Sequence, residues 1–253
     1  MKRYLGLFIL TCLCVSMFCS SIRSDVLNDP NVPDGETFVW RWVREGEEPQ
    51  LSLVKWSVSE WEGKPVYKIT SDSGNTKHAE YILNKSDMQL LYFYIIRTDK
   101  EHPYEVTMKA KEDKLYLEAN IEGDKKDKDI DRKPDGYNGI MLAYCLRGFP
   151  FGKKEEIELH ITPPFSNKLP LWAWKMWGAY AKVVAEEKVT VPAGTFDCYK
   201  LEVGASGGII GRLTSEYYFW YEKTAPYRFI RYQEKDGKSY TELMELRCKG
   251  EEK

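Results

Sequence analysis

Two stretches of strict alternation limit what this chain can fold into. Tyr104, Val106, Met108 and Ala110 alternate with Glu105, Thr107 and Lys109; after Glu112-Asp113, Leu115, Leu117, Ala119 and Ile121 alternate with Tyr116, Glu118 and Asn120. A helix would scatter these residues around its axis, whereas a strand puts every second side chain on one face. One face is apolar and the other polar, the pattern of an antiparallel hairpin packed on a single side.

The same period recurs along most of the chain. Phe38, Trp40 and Trp42 share a face, as do Val54, Trp56 and Val58, and Tyr67 and Ile69 come after the Glu62-Gly63-Lys64 turn. Met88 to Ile96 is apolar on both faces, which suits a strand covered on both sides. Ile157, Leu159 and Ile161 resume the alternation, with Glu156, Glu158 and His160 outward. Pro192 and Gly194 punctuate a turn, after which Tyr199, Leu201 and Val203 alternate with Cys198, Lys200 and Glu202. Tyr217, Phe219 and Tyr221 then alternate with Glu216, Tyr218 and Trp220, and Tyr227 to Glu234 pairs with Tyr240 to Cys248 across Asp236-Gly237. Aromatic residues are 14% of the chain, a bias toward pleated sheet. The expectation is a mainly β, antiparallel up-and-down meander of about eleven strands, curled into a half-barrel or barrel. It forms a single domain over residues 36–249.

Two segments break the pattern. Residues 122–135 (EGDKKDKDIDRKPD) carry almost no apolar content and read as a charged, solvated loop. Asp127, Asp129 and Asp131 mimic the opening ligands of a calcium loop, but Arg132 stands where its glycine belongs and Asn138 where its bidentate glutamate belongs. Tyr137, Ile140, Met141 and Tyr144 recur at helical spacing, and Gly148 and Pro150 end the run, predicting one short helix near 137–147 that packs on the sheet.

The first residues address compartment. Lys2 and Arg3 precede an apolar stretch from Tyr4 to Phe18, and Cys19-Ser20-Ser21 supplies small residues for cleavage. About 15 apolar residues fall short of the roughly 20 that span a bilayer, so residues 1–24 read as an export signal and the product as periplasmic or secreted. A membrane tether would exist only if Cys19 were lipidated, and Ser16 and Phe18 depart from the residues that modification favours. Asp25 to Gly35, with Pro30 and Pro33, reads as a flexible lead-in. Losing Lys2, Arg3 and Arg23 takes the formal net charge from −2 to about −5, a poor balance for nucleic acid. Cys145, Cys198 and Cys248 remain beyond the signal, and sequence does not choose which two, if any, would bridge. With no Cys-x-x-Cys, zinc and dithiol chemistry lack support, and no cofactor is expected.

Catalytic signals are weak. Gly204-Ala205-Ser206-Gly207-Gly208 has the spacing of a nucleophile elbow, but the residues downstream of it are β-branched and aromatic rather than helical, so the segment reads as a connection between strands. His78, His102 and His160 show neither metal-pair spacing nor an adjacent orienting carboxylate. The candidate ligand contacts are Trp172, Trp174 and Trp177 in LPLWAWKMWGAY. If that stretch is a strand, Trp172 and Trp174 share one face and Trp177 takes the other.

Two blocks carry a resemblance. Residues 142–153 (LAYCLRGFPFGK) and 189–202 (VTVPAGTFDCYKLE) are similar to the short helix with apolar-Pro-apolar exit, and to the Pro-Ala-Gly-Thr-Phe turn and strand, of domain-of-unknown-function family 3108, exported bacterial proteins. Ala225-Pro226-Tyr227-Arg228 resembles that family's closing strand entry. The resemblance implies an extracytoplasmic antiparallel β protein, like the half-barrels of lipoprotein carriers, and brings no catalytic residues. The leading expectation is a non-enzymatic cell-envelope protein that binds or carries an apolar ligand such as lipid, or a surface polymer. The alternatives are an extracytoplasmic hydrolase using paired carboxylates and a structural envelope component.

Overall fold

A computed structural model describes residues 26–100, 102–163, 171–206 and 216–247. The expected export signal, Cys19, Gly207, Gly208 and Cys248 lie outside the described residues. Fifteen strands are present among the described residues: β1 (Thr37–Arg44), β2 (Gln50–Trp61), β3 (Lys64–Ser73), β4 (Lys77–Asn84), β5 (Leu90–Arg97), β6 (Tyr104–Lys111), β7 (Lys114–Ile121), β8 (Asp124–Asp131), β9 (Gly136–Asn138), β10 (Glu156–Thr162), β11 (Trp177–Val191), β12 (Gly194–Ala205), β13 (Tyr217–Glu222), β14 (Phe229–Glu234) and β15 (Ser239–Arg247). They form one sheet in the order β8-β7-β6-β5-β4-β3-β2-β1-β15-β14-β13-β12-β11-β10-β9. The mainly β, antiparallel meander is thus as expected, but with fifteen strands rather than about eleven, and the sheet does not close. Every neighbouring pair is antiparallel except the short parallel pair β9 and β10.

The strand order explains the shape. Two meanders, β1–β8 and β10–β15, join where the first strand pairs with the last, Phe38 opposite Leu246. The free edges β8 and β9 are separated by only residues 132–135, a reach of roughly 15–18 Å at most. So short a link holds the two ends of a fifteen-stranded sheet near each other, and the sheet must curl until its edges almost meet. One end of the curl carries the turns at 45–49, 74–76, 122–123 and 235–238; we call it the upper end. The lower end carries those at 62–63, 112–113, 192–193 and 223–228.

Charge explains why β8 has the composition of a loop. Only Ile130 of that strand is buried, because the rest lies on a sheet edge and faces water. An edge loaded with Lys and Asp is protected against pairing with another chain, so low apolar content here marks an edge strand and the expected loop at 122–135 is corrected. Asp127, Asp129 and Asp131 fall at alternate positions along it, too spread out to wrap one ion.

The expected helix is also revised. Residues 136–138 form β9, a 3₁₀ turn covers Gly139–Met141, α1 is only Leu142–Cys145, and a second 3₁₀ turn covers Leu146–Gly148. Asn138 caps the first turn, its side-chain oxygen accepting from the Ile140 backbone N–H at 2.9 Å. This segment packs on the inner face of the sheet, as expected, and threads through the curl from the upper end to the lower. Met141, Leu142, Cys145, Leu146, Phe149 and Phe151 are all buried, in contact with the inward residues of both meanders. Each large apolar side chain so buried contributes about 1.5–3 kcal/mol. Helical periodicity fades here because a segment surrounded by sheet has no solvent face.

The lead-in is not loose. Leu27 and Val32 are buried, the Asn28 N–H donates to the Gly148 carbonyl at 2.8 Å, and the Val32 N–H donates to the Tyr67 hydroxyl. Residues 26–35 therefore seal the lower end over the threaded segment.

Candidate functional site

At the lower end the filled interior is locked by charge. Arg147 and Glu36 are each only 1% exposed and meet at 2.8 Å. Arg147 also donates to the Pro226 carbonyl at 3.2 and 3.3 Å, and its guanidinium stands 4.8 Å from the Trp56 ring centre and 5.6 Å from that of Phe38. Arg228 bridges Glu36 (3.0 Å) and Glu222 (3.1 Å). Burial pulls the Arg147 pKa down, against the opposing pull of Glu36. Ala143, one residue into α1, accepts a 2.8 Å bond from Tyr221 Oη. Glu36 and Glu222 are the carboxylates this network gathers, and arginine pairs with both, which suits anchoring and not proton transfer.

The upper end is different. On the inner face, Phe38 and Trp40 are buried, but Trp42, next on the same face of β1, is half-buried. The inward residues beside it, Thr241, Tyr232 and Tyr217, are likewise half-buried. Tyr217 and Tyr232 stack with ring centres 6.0 Å apart, and Tyr232 packs on Phe219 at 5.1 Å. The other meander brings Ser52, Ser73, Lys77, Arg97 and Tyr104 to this end, again half-buried. The inner face is thus dry below and open above.

The three tryptophans expected to contact a ligand take three environments at this end. Residues 171–173 form a 3₁₀ turn and β11 starts only at Trp177, so the expected strand parity of the LPLWAWKMW stretch does not apply. Its bonds turn the chain instead: Lys175 N–H and Trp177 Nε1 both donate to the Ala173 carbonyl, at 3.0 and 2.9 Å. Trp172 is 70% exposed. Trp174 is 5% exposed and lines a cavity with Phe93, Val106, Met108, Ile140 and Pro163. Trp177 is half-buried, on the same face as inward Ala179 and Ala181, with the Lys175 ammonium 4.3 Å from its ring centre. The cavity leaves about 10 Å³ for the centre of a water molecule, room for roughly one water.

Each histidine has a carboxylate partner: His78 with Asp72 (2.6 Å), His102 with Glu122 (3.0 Å) and His160 with Asp135 (3.0 Å). Those partners lie 6, 20 and 25 residues away, which is why local spacing does not show them. The first two are surface pairs and the third is partly buried. Gly204 and Ala205 belong to β12 rather than to a connection, and Ser206 continues the pairing, its N–H donating to the Gly178 carbonyl at 2.9 Å. Cys145 and Cys198 are buried free thiols; burial pushes Cys198 up to about 12 and Cys145 higher still. Sequence reasoning misses Lys77, Arg97, Tyr217 and Tyr232 as a group, because only the curl of the sheet brings them to one end.

A strongly curled antiparallel sheet threaded by its own chain puts this protein in the class of β-barrel-like folds. It is similar in fold to a β-barrel-like protein of domain-of-unknown-function family 1849 from Brucella abortus, which superposes with a TM-score of 0.52 at 6% identity, over 84% of this chain and 97% of that one. A protein from Bacteroides fragilis, described as exported and with a YmcC-like fold, matches at a TM-score of 0.35 and 10% identity, over 88% of this chain and 100% of that one. No family model matches the chain, and no curated protein matches it. No helix among the described residues is long and apolar enough to cross a membrane.

Proposed function

We propose that this is an exported, non-enzymatic binding protein of the cell envelope, periplasmic or secreted, that takes an apolar ligand at the upper mouth of the barrel. The observation that carries the reading is the change along one face: inward aromatic residues are buried below but half-exposed at Trp42, Trp177, Tyr217 and Tyr232. Unburied rings that face a concavity gain dispersion and hydrophobic energy when an apolar body covers them. Trp172, exposed at the same end, adds a further ring at the margin.

Magnitude limits how deep the ligand goes. A drug-sized ligand needs roughly 300 Å³ or more, whereas the cavity beneath Trp174 offers about 10 Å³. The threaded segment occupies the space that an open carrier would give to its cargo. The ligand therefore rests at the mouth, against Trp172, Trp174 and Trp177 together with Tyr217, Tyr232 and Trp42. The filled lower interior also supports a second reading, a structural component that binds nothing.

Titration with N-phenyl-1-naphthylamine, a neutral apolar fluorophore, separates the two. The binding reading expects saturable one-to-one fluorescence enhancement, weakened about tenfold or more in Trp177→Ala. A featureless, non-saturating response would leave the structural reading.

A further inference from the structure

The inward face at the upper rim holds a lysine whose charge no carboxylate balances among the described residues. Lys77 on β4 is paired in register with Arg97 on β5, and both lie on the inward face, in line with Ala79 and Ile95. The row continues through Ser73 on the β3 side, which hydrogen bonds to Ser52, and through Tyr104 on the β6 side. Arg97 is neutralised by Asp99 through its Nε. Among the described residues no carboxylate pairs with Lys77. Burial, with Arg97 beside it, lowers the Lys77 pKa. A half-buried ammonium facing a guanidinium is costly unless something anionic completes it.

We infer that Lys77, with Ser73 and Arg97, forms an oxyanion site at the barrel mouth, which takes the phosphate or carboxylate headgroup of an anionic amphiphile. The amphiphile part rests on the mouth-binding reading above; the oxyanion part does not. Arg97 also lines an open cleft of about 230 Å³ at the rim with Ile96, Pro103, Tyr104, Glu105, Asn120 and Glu122, so its guanidinium is reachable from solvent, and Lys77, half-buried, stands beside it in register. Each acid at this cleft has a partner of its own. Glu105 accepts from Tyr94 Oη at 3.2 Å, Glu122 pairs with His102, and Asp99 holds Arg97. An oxyanion would accept from Lys77 Nζ, the Ser73 hydroxyl and the guanidinium, an arrangement of charge-assisted bonds. The alkyl part would then lie across the neighbouring aromatic rim.

The test uses inorganic phosphate, decyl phosphate and decanol with the full mature chain, comparing wild type, Lys77→Gln and Lys77→Arg. Calorimetric titration with phosphate alone reads the oxyanion site without any apolar contact. Wild type and Lys77→Arg should bind decyl phosphate about tenfold more tightly than decanol, and Lys77→Gln should show no preference. Decyl phosphate binding much more tightly than inorganic phosphate identifies a headgroup; equal affinity for the two keeps the oxyanion site but assigns it to a free anion. Failure of decanol with retained, Lys77-dependent phosphate binding sinks the apolar reading and leaves this site standing. No anion binding in wild type, or an undiminished preference in a folded Lys77→Gln, overturns the proposal.

Discussion

Replacing Arg147 with methionine tests whether the threaded segment is locked by its charge. The variant keeps most of the side-chain volume but removes the donor to Glu36 and to the Pro226 carbonyl, and the cation between the Trp56 and Phe38 rings. Removing one partner of a buried ion pair costs about 3–5 kcal/mol, because the other charge stays buried. Glu36 keeps Arg228 at 3.0 Å, which places Arg147→Met near the lower figure. Glu36→Gln strands the arginine, whose other acceptor among the described residues is a carbonyl, and so should approach the upper one. For a chain of this size 1 kcal/mol corresponds to about 2–4 °C, so the two variants should melt roughly 6–20 °C below wild type. The double variant should recover part of the loss, since neither charge is then left alone. Urea unfolding of all four proteins supplies the cycle. Single losses under about 1 kcal/mol, or losses that simply add, would refute the lock.

Asp29 supplies a pH dependence. Burial raises its pKa, but hydrogen bonds from Lys85 and Tyr67 outweigh this and hold the carboxyl below its usual 3.8. Its contribution is present above the unfolded value and lost as pH falls through the folded one. The stability gap between wild type and Asp29→Asn, measured by urea unfolding, should therefore be full at pH 6 and shrink below pH 4; a gap that widens toward acid would contradict this. Gly148→Ala should destabilise by about 1–3 kcal/mol, because the new methyl meets the Asn28 backbone carbonyl, whereas Gly136→Ala, which meets the flexible Met176 side chain, should cost less. Light scattering should show Asp127→Val with Asp129→Val driving self-association through the uncovered β8 edge, while the wild type stays as it is.

Much of the sheet is legible in the sequence because alternation is local. Strands β1, β2, β3, β6 and β7 declare their inner faces within a few residues, whereas β4 goes unread and β5 is apolar on both faces; the register is set by tight turns such as Glu62-Gly63 and Glu112-Asp113. What alternation cannot carry is curvature. Trp42 and Tyr217 read as ordinary inward residues, and only the way the sheet coils leaves them at an open mouth while Trp40 and Phe219 are covered. The role of Arg147 is hidden for a related reason: the residues 142–153 are recognisable as a block, but Glu36 lies 111 positions away and Pro226 lies 79. Local chemistry misleads at two places. In β8 an edge strand looks like a loop, and at Trp172 to Trp177 the bonds to the Ala173 carbonyl make a turn where period two suggests a strand.

Oxidative footprinting of tryptophan, read by peptide mass spectrometry, tests residue by residue whether the interior is filled below and aromatic above. Trp172, Trp42 and Trp177 should oxidise readily and Trp40 and Trp56 should resist, with N-phenyl-1-naphthylamine protecting Trp42 and Trp177. Equal oxidation of Trp56 and Trp177, or no protection at the mouth by a fluorophore that binds, would contradict the account.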